Sequence, residues 1–174
     1  MEERMKNIIK ECSRQEESCL YTSTALYEWI KSMRSIQRSF IFFSIILGGF
    51  SACPFLFQHT ELIWLSGFFG VLAGLLPSIY KALEFDHNLM SLIRSATEFK
   101  ILQDRFRQAQ LVTSFDSFEN LNLEFHRLME RMDNERRNSL SVPKRFFNKA
   151  KKKIANGDYK FKTDEAFQKD NTEH

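Results

Sequence analysis

Two uncharged stretches decide the predicted fold of this chain: SFIFFSIILGGFSACPFLFQHT at residues 39–60 and LIWLSGFFGVLAGLLPSIY at residues 62–80. The first has 22 residues and the second 19, and only Glu61 separates them. As α-helices they would extend about 33 and 28 Å, close to the bilayer hydrocarbon thickness of about 30 Å. The pattern predicts a transmembrane hairpin at residues 39–80. The alternative, a buried hairpin in a soluble bundle, needs a polar face on each helix, and both stretches have little polarity.

The charges that flank this hairpin predict its orientation. Lys31, Arg34 and Arg38 precede the first stretch and Lys81 follows the second, whereas residues 58–61 between them contain no Lys or Arg. Basic flanks stay on the cytoplasmic side of a membrane. We therefore expect two membrane spans with both termini in the cytoplasm. Trp64 and Tyr80 lie at the ends of the second stretch, where amphipathic rings prefer the membrane interface.

The overall composition hides this segregation. The 174 residues are 43% hydrophobic and 27% charged, with a formal net charge of +3, and the mean hydropathy of −0.36 resembles that of a soluble protein. Six glycines and three prolines exclude collagen-like and low-complexity classes. Three cysteines are too few for a disulfide framework. We expect one domain's worth of chain with free thiols.

Small residues recur at helical spacing in both predicted spans. In lipid, small residues allow helix backbones to approach closely. The six residues of the predicted helix-packing or pore seam are Ser44, Gly48, Ala52, Gly67, Gly70 and Gly74. Two interpretations remain open, because the stripes could join the two helices of one hairpin or join subunits of a homo-oligomer. Pro54 and Pro77, near the ends of the two stretches, are the predicted kink positions.

Residues 1–38 are predicted to form a cytoplasmic amphipathic helix. Apolar residues recur there in an a/d heptad pattern typical of coiled coils. The predicted seam consists of Met5, Ile8, Cys12, Cys19, Leu26, Trp29, Met33 and Ile36. Gln15 and Thr22 weaken its middle.

The rest of the chain is predicted to be helical and then basic. In residues 81–140 apolar residues continue at helical spacing, and Asp116 with Glu119 has the spacing of a capping box. A cytoplasmic helical region is therefore expected there, which completes an all-α membrane protein. Residues 141–174 form a basic tail, with disorder expected beyond Asn156.

A basic and aromatic cluster opens that tail. Its members are Lys144, Arg145, Phe146, Phe147, Lys149, Lys151, Lys152 and Lys153. Near an anionic leaflet each basic residue contributes about 1 kcal/mol, and the Phe pair could enter the interface. A merely solvated tail is the alternative. Nucleic acid is not an expected partner, because no recognition motif accompanies the cluster.

Motifs for catalysis or cofactor binding are absent from the sequence. Outside the hairpin only Gly157 remains for a phosphate-binding loop, so no P-loop or Rossmann turn is present. The four histidines are scattered, without the spacing of metal ligands. We expect no enzyme activity, no metal and no cofactor.

A long N-terminal helix, a membrane hairpin at residues 39–80 and cytoplasmic helices to about residue 140 together resemble the SLATT family of bacterial conflict-system effectors. Trp29 before the hairpin and His87 after it are local points of similarity. The resemblance implies a pore-forming or membrane-perturbing antiphage effector of the inner (cell) membrane that oligomerises when triggered. It also implies a partner encoded alongside, such as a cytoplasmic sensor or a nucleotide-signal synthase.

Three functional hypotheses follow. The first is a gated oligomeric pore in the lipid bilayer, although its serines and Cys53 offer little polar lining. The second is a structural adaptor that anchors a cytoplasmic partner without conducting. The third is an activator-binding module, in which a nucleotide ligand would use basic residues. The candidates are Arg94, Lys100, Arg105 and Arg107.

Overall fold

Five α-helices make up the part of the chain that the structure describes. The structure is a computed structural model that describes residues 2–56, 63–82, 85–115 and 117–159. The helices are α1 (Glu2–Leu56), α2 (Ile63–Ala82), α3 (Phe85–Leu111), α4 (Phe118–Asn138) and α5 (Lys144–Ala155), with a short 3-10 helix at Thr113–Phe115. No strand occurs among these residues, so the predicted all-helical class is confirmed. The predicted connection at residues 58–61 lies outside the described residues.

The helices divide into two compact units. Unit 1 contains the described residues of Met1–Glu28 and Arg94–His174, and unit 2 is Trp29–Ile93. Helix α1 is continuous from Glu2 to Leu56, so no helix end falls at the expected boundary between residues 38 and 39. The absence of Gly and Pro between residues 6 and 40 explains this continuity.

Unit 1 packs segments of four helices around one apolar core. Its fully buried large side chains come from α1, α3, α4 and α5. They include Cys12, Cys19, Leu26, Leu102, Phe106, Leu121, Met132 and Phe146. Cys19 Sγ lies 3.5 Å from Met132 Sδ, which joins α1 to α4. Burial of this apolar surface is the main source of stability for such a unit.

Polar side chains add specific links between the helices of unit 1. Arg131 Nε of α4 lies 2.5 Å from Glu98 Oε1 of α3, and this hydrogen bond raises the pKa of the Arg131 guanidinium. Gln110 Nε2 donates to Glu16 Oε2, which joins α3 to α1. Gln15, which interrupts the heptad pattern, is buried, and its Oε1 atom is 3.4 Å from Arg136 Nη2. The polar residue in the seam is therefore hydrogen-bonded, as burial of an amide requires.

Helix α4 begins one residue later than the capping-box spacing predicts. Its N-cap is Ser117, in an extended conformation, and Ser117 Oγ accepts from the Asn120 backbone N at 3.3 Å. The prediction of Asp116 as the cap was wrong, because the Ser117 hydroxyl satisfies the free amide at the third helical position. From this start the α4 stripe buries Leu121, Leu128 and Met132.

Helix α5 was not predicted from the sequence. Pro143 is its N-cap, and the helix crosses the basic segment that we had interpreted only as a tail. Phe146 and Ala150 are buried and Ile154 is half-buried, a spacing of four residues that marks one helix face. Lys153 Nζ lies 2.7 Å from Glu28 Oε1 of α1, and this hydrogen bond raises the pKa of Lys153. The helix is thus held to unit 1 by both apolar and charged contacts.

Candidate functional site

Unit 2 carries two helices that are long and apolar enough to cross a membrane. In the most apolar 18-residue window of α1, 0% of the residues are buried, and in that of α2, 6% are buried. Large apolar side chains are exposed in residues 41–50 of α1 and along most of α2. Those exposed are Ile41, Phe42, Phe43, Ile45, Phe50, Trp64, Phe68, Val71, Leu75 and Ile79. Helices of a soluble core bury such side chains, so this surface needs an apolar environment from outside the chain.

The two helices of unit 2 contact each other in antiparallel register. The Phe50 and Phe69 rings have centroids 6.2 Å apart, and the Phe40 and Tyr80 rings have centroids 6.1 Å apart. As the residue number rises along α1, the number of its partner falls along α2. Both distances suit favourable tilted aromatic pairs.

A close polar contact lies next to the Phe50–Phe69 pair, nearer the C-terminal end of α1. Ser51 Oγ donates to the Ser66 backbone oxygen at 2.9 Å. A Cβ atom at Gly70 would lie 3.1 Å from Ser51 Oγ, so the missing side chain leaves the space that the hydroxyl occupies. Gly70 is therefore the residue of the predicted seam that contacts the other helix of the same chain. Small residues allow this approach between apolar helices.

The remaining glycines of the predicted seam have no such neighbour. A Cβ atom at Gly48, Gly67 or Gly74 would meet nothing within 4 Å. All three are exposed, as is Ala52. The structure thus brings one seam residue, Gly70, to the contact between α1 and α2 and leaves a set of small residues on the outer faces. We call Gly48, Gly67 and Gly74 the outer glycines.

The other residues predicted within the spans have the following positions. Ser44 is half-buried, and its Oγ donates to the Phe40 backbone oxygen at 2.9 Å. Pro77 lies inside α2, five residues before its last residue, Ala82. The side chain of Pro54 lies outside what the structure describes. Trp64 is 70% exposed near the start of α2.

An apolar groove of about 530 Å³ lies between α1 and α2 within unit 2. Its lining consists of Ser32, Ser35, Ile36, Ser39, Phe40, Phe43, Leu47 and Leu76. The only polar groups it offers are serine hydroxyls and backbone. Such a lining suits hydrocarbon better than a charged ligand.

The predicted cytoplasmic seam is distributed over both units. In unit 1, Cys12, Cys19 and Leu26 are buried, whereas Met5 and Ile8 are half-buried. In unit 2, Trp29, Met33 and Ile36 are half-buried. The seam residues are most deeply buried around Cys19, which Met132 of α4 covers.

Cys12 and Cys19 are expected to resist thiol reagents while the chain is folded. Burial raises the pKa of the Cys12 thiol to about 11 and that of Cys19 to about 12, from an ordinary 9.0. The thiolate is the reactive form, so at pH 8 burial reduces it by about a hundredfold or more. In a Cys53→Ser variant, maleimide labelling at pH 8 should occur only after unfolding, and should accelerate as the pH rises toward 11. Rapid labelling of the folded variant at pH 8 would contradict this arrangement.

Helix α5 separates its apolar residues from its basic ones. Phe146 is 1% exposed and lies in the core of unit 1, so it is not available to a membrane surface while α5 is packed. Phe147 is half-exposed and stacks on Tyr21 with a centroid distance of 6.2 Å. The opposite face is exposed and carries five basic side chains. They are Lys144, Arg145, Lys149, Lys151 and Lys152, which we call the α5 basic face.

No group of three or more His, Cys, Asp or Glu side chains that could hold a metal ion occurs among the described residues. His87 and His126 are both exposed on their helices. Comparisons of the chain with protein-family models, with curated proteins and with solved structures find no match.

Proposed function

We propose that unit 2 crosses a membrane and that the chain is an effector that perturbs or permeabilises that membrane as a homo-oligomer. The observation that carries the proposal is the lack of burial of two apolar helices. In the most apolar 18-residue window of α1 no residue is buried, and in that of α2 only 6% are. A bilayer removes this surface from water. Each fully buried large apolar side chain contributes about 1.5–3 kcal/mol, so water is an unfavourable surrounding for this pair.

The orientation and the membrane follow from the charges. With Lys31, Arg34 and Arg38 before the first span and Lys81 after the second, both termini are proposed to lie in the cytoplasm of a bacterium, with the pair in the inner membrane. The α5 basic face is then on the side of the anionic cytoplasmic leaflet, which attracts each basic residue near its surface by about 1 kcal/mol.

Oligomerisation is proposed to use the outer glycines. A Cβ atom added at Gly48, Gly67 or Gly74 would meet nothing within 4 Å from the rest of the described chain. Glycine in a membrane helix favours close packing with another helix, and a second copy of the chain supplies one. This assigns Gly70 to packing within the chain and the outer glycines to packing between chains.

The biological role rests on the similarity in architecture to SLATT effectors. It makes the chain an antiphage effector that a cytoplasmic sensor or a nucleotide-signal synthase would trigger. The architecture supports this role through the order of its helices.

Expression with a voltage-sensitive dye tests the proposed activity. Induction in bacteria should depolarise the inner membrane within minutes, either alone or once the trigger is supplied. Alkaline carbonate extraction of the same cells should leave the chain in the membrane fraction. If carbonate releases the chain, the proposal that it spans the membrane is contradicted. If the chain is retained but the membrane is not depolarised, with or without the trigger, only the proposed permeabilisation is contradicted.

A membrane-anchored adaptor is the second candidate, and the bonding of the serines favours it. The hydroxyls of Ser44, Ser51 and Ser78 all donate to backbone oxygens, at 2.9, 2.9 and 3.4 Å. Hydroxyls engaged in this way contribute little to the polar lining that a wide aqueous pore requires. An adaptor should keep its activity when residues 39–80 are exchanged for an unrelated hairpin of equal length, whereas a pore should lose it.

A further inference from the structure

An arginine-lined groove lies on the surface of unit 1 between α3 and α4. Its volume is about 500 Å³, within the range of small-molecule sites. The lining residues are Arg105, Glu124, Arg127, Leu128, Glu130, Arg131, Asn134 and Arg137. Four arginines against two glutamates leave a net charge of +2. We call this the arginine groove.

The arginines of the groove are only partly neutralised by the chain itself. Arg131 uses its Nε atom for Glu98, and Arg127 lies 4.0 Å from Glu124. Arg105 donates from Nη1 to the neutral amide of Gln108 at 3.1 Å. Arg137 has no hydrogen bond or ion pair with any residue that the structure describes. Donors of Arg105, Arg131 and Arg137 therefore remain available to an anion.

Sequence spacing places two of these arginines side by side. Arg127 and Arg131 are four positions apart on α4, which places them on one helix face. Arg105 approaches from α3, the helix that the Arg131–Glu98 contact holds against α4. Leu128, which is 3% exposed, is the apolar residue of the lining.

We propose that the arginine groove binds a small molecule that carries two or more phosphate groups. Planar guanidinium groups bind phosphate oxygens in pairs, and several of them at fixed positions favour a ligand with more than one phosphate. The volume exceeds what a single phosphate ion fills. Glu130, which has no partner among the described residues, is placed to accept a hydrogen bond from a hydroxyl or amino group of the same ligand. The site does not depend on whether unit 2 permeabilises a membrane.

The test is a calorimetric titration of the full chain in detergent. Inorganic tripolyphosphate represents a soluble ligand, and dihexanoyl phosphatidylinositol 4-phosphate, which carries two phosphate groups, represents a lipid headgroup. Arg105→Gln and Arg137→Gln should each weaken the binding of a phosphate probe roughly tenfold, because each removes charge-assisted hydrogen bonds. Arg14→Gln, which changes an exposed arginine paired with Glu11 at 2.7 Å outside the groove, should change it less than twofold. Arg137→Gln removes no contact of the described fold, so it keeps the test valid if Arg105→Gln misfolds.

The two probes distinguish the sources of phosphate. If Arg105→Gln and Arg137→Gln weaken the binding of tripolyphosphate alone, the groove is assigned to a soluble ligand. If they also weaken the binding of the short-chain lipid, the groove is assigned to phosphate on a lipid headgroup. Either result supports the proposal. Absence of binding by the wild-type chain, or equal affinities of the groove variants and Arg14→Gln, would overturn it.

Discussion

Gly74→Leu is expected to abolish the depolarisation caused by the wild-type chain, while α1 and α2 still pack together. Gly74 is exposed, and a Cβ atom there would meet nothing within 4 Å. A leucine at this position therefore has room within a single chain and obstructs only a neighbouring helix. Added bulk separates backbones that depend on glycine for close packing. The measurement is dye fluorescence at equal amounts of chain in the membrane fraction.

Two variants of the same helix serve as controls for Gly74→Leu. Ile79→Phe adds bulk to an exposed side chain five positions from Gly74, on a different side of α2, and it should depolarise like the wild type. Gly70→Leu instead places its side chain against Ser51, since even a Cβ atom would lie 3.1 Å from Ser51 Oγ. This variant should therefore disturb the packing of α1 against α2 within one chain. Full depolarisation by Gly74→Leu would remove the outer glycines from the proposed assembly.

Phe146→Ala is expected to lower the free energy of unfolding of unit 1 by about 3–5 kcal/mol. Its ring is 1% exposed and fixes α5 to the core. Truncation removes buried apolar area and leaves a cavity, and both effects destabilise the unit. The measurement is a urea titration of the detergent-solubilised chain, followed by circular dichroism.

The neighbouring phenylalanine provides the matched control. Phe147 is 43% exposed, and its ring stacks on Tyr21. Phe147→Ala should therefore cost about 1 kcal/mol, the size of a partly exposed aromatic pair. Equal losses for the two variants would contradict the orientation of α5, because only one of the two rings can face the core of unit 1.

The helical class and much of the core of unit 1 could be predicted from periodicity. Cys12, Cys19 and Leu26 recur every seven residues, which brings them to one face of a helix, and all three are buried. Periodicity fails in α5, where lysines and arginines dominate the composition. The spacing of Phe146, Ala150 and Ile154 was the available signal, and it marks a helix face rather than a tail.

The contacts between helices could not be predicted in the same way. Spacing places Gly67, Gly70 and Gly74 near one face of α2, but it does not say which of them meets α1. Only the position of Ser51 singles out Gly70. The arginine groove was missed for a related reason, since Arg105 and Arg131 lie on different helices and are brought together by tertiary packing. Of the basic residues expected to bind a ligand, Arg105 alone lines that groove.

The hydrogen bond from Ser51 to the Ser66 oxygen restricts how α1 and α2 can slide past each other. A shift of one helical turn, about 5.4 Å, would leave the hydroxyl without this acceptor and move it away from the space at Gly70. An unpaired hydroxyl in apolar surroundings costs about 1–3 kcal/mol, and the Phe50–Phe69 and Phe40–Tyr80 pairs would separate as well. The helix pair therefore behaves as one rigid element. Gating in an assembly of such chains would come from rotation or tilting of whole pairs against one another, with the register inside each pair unchanged.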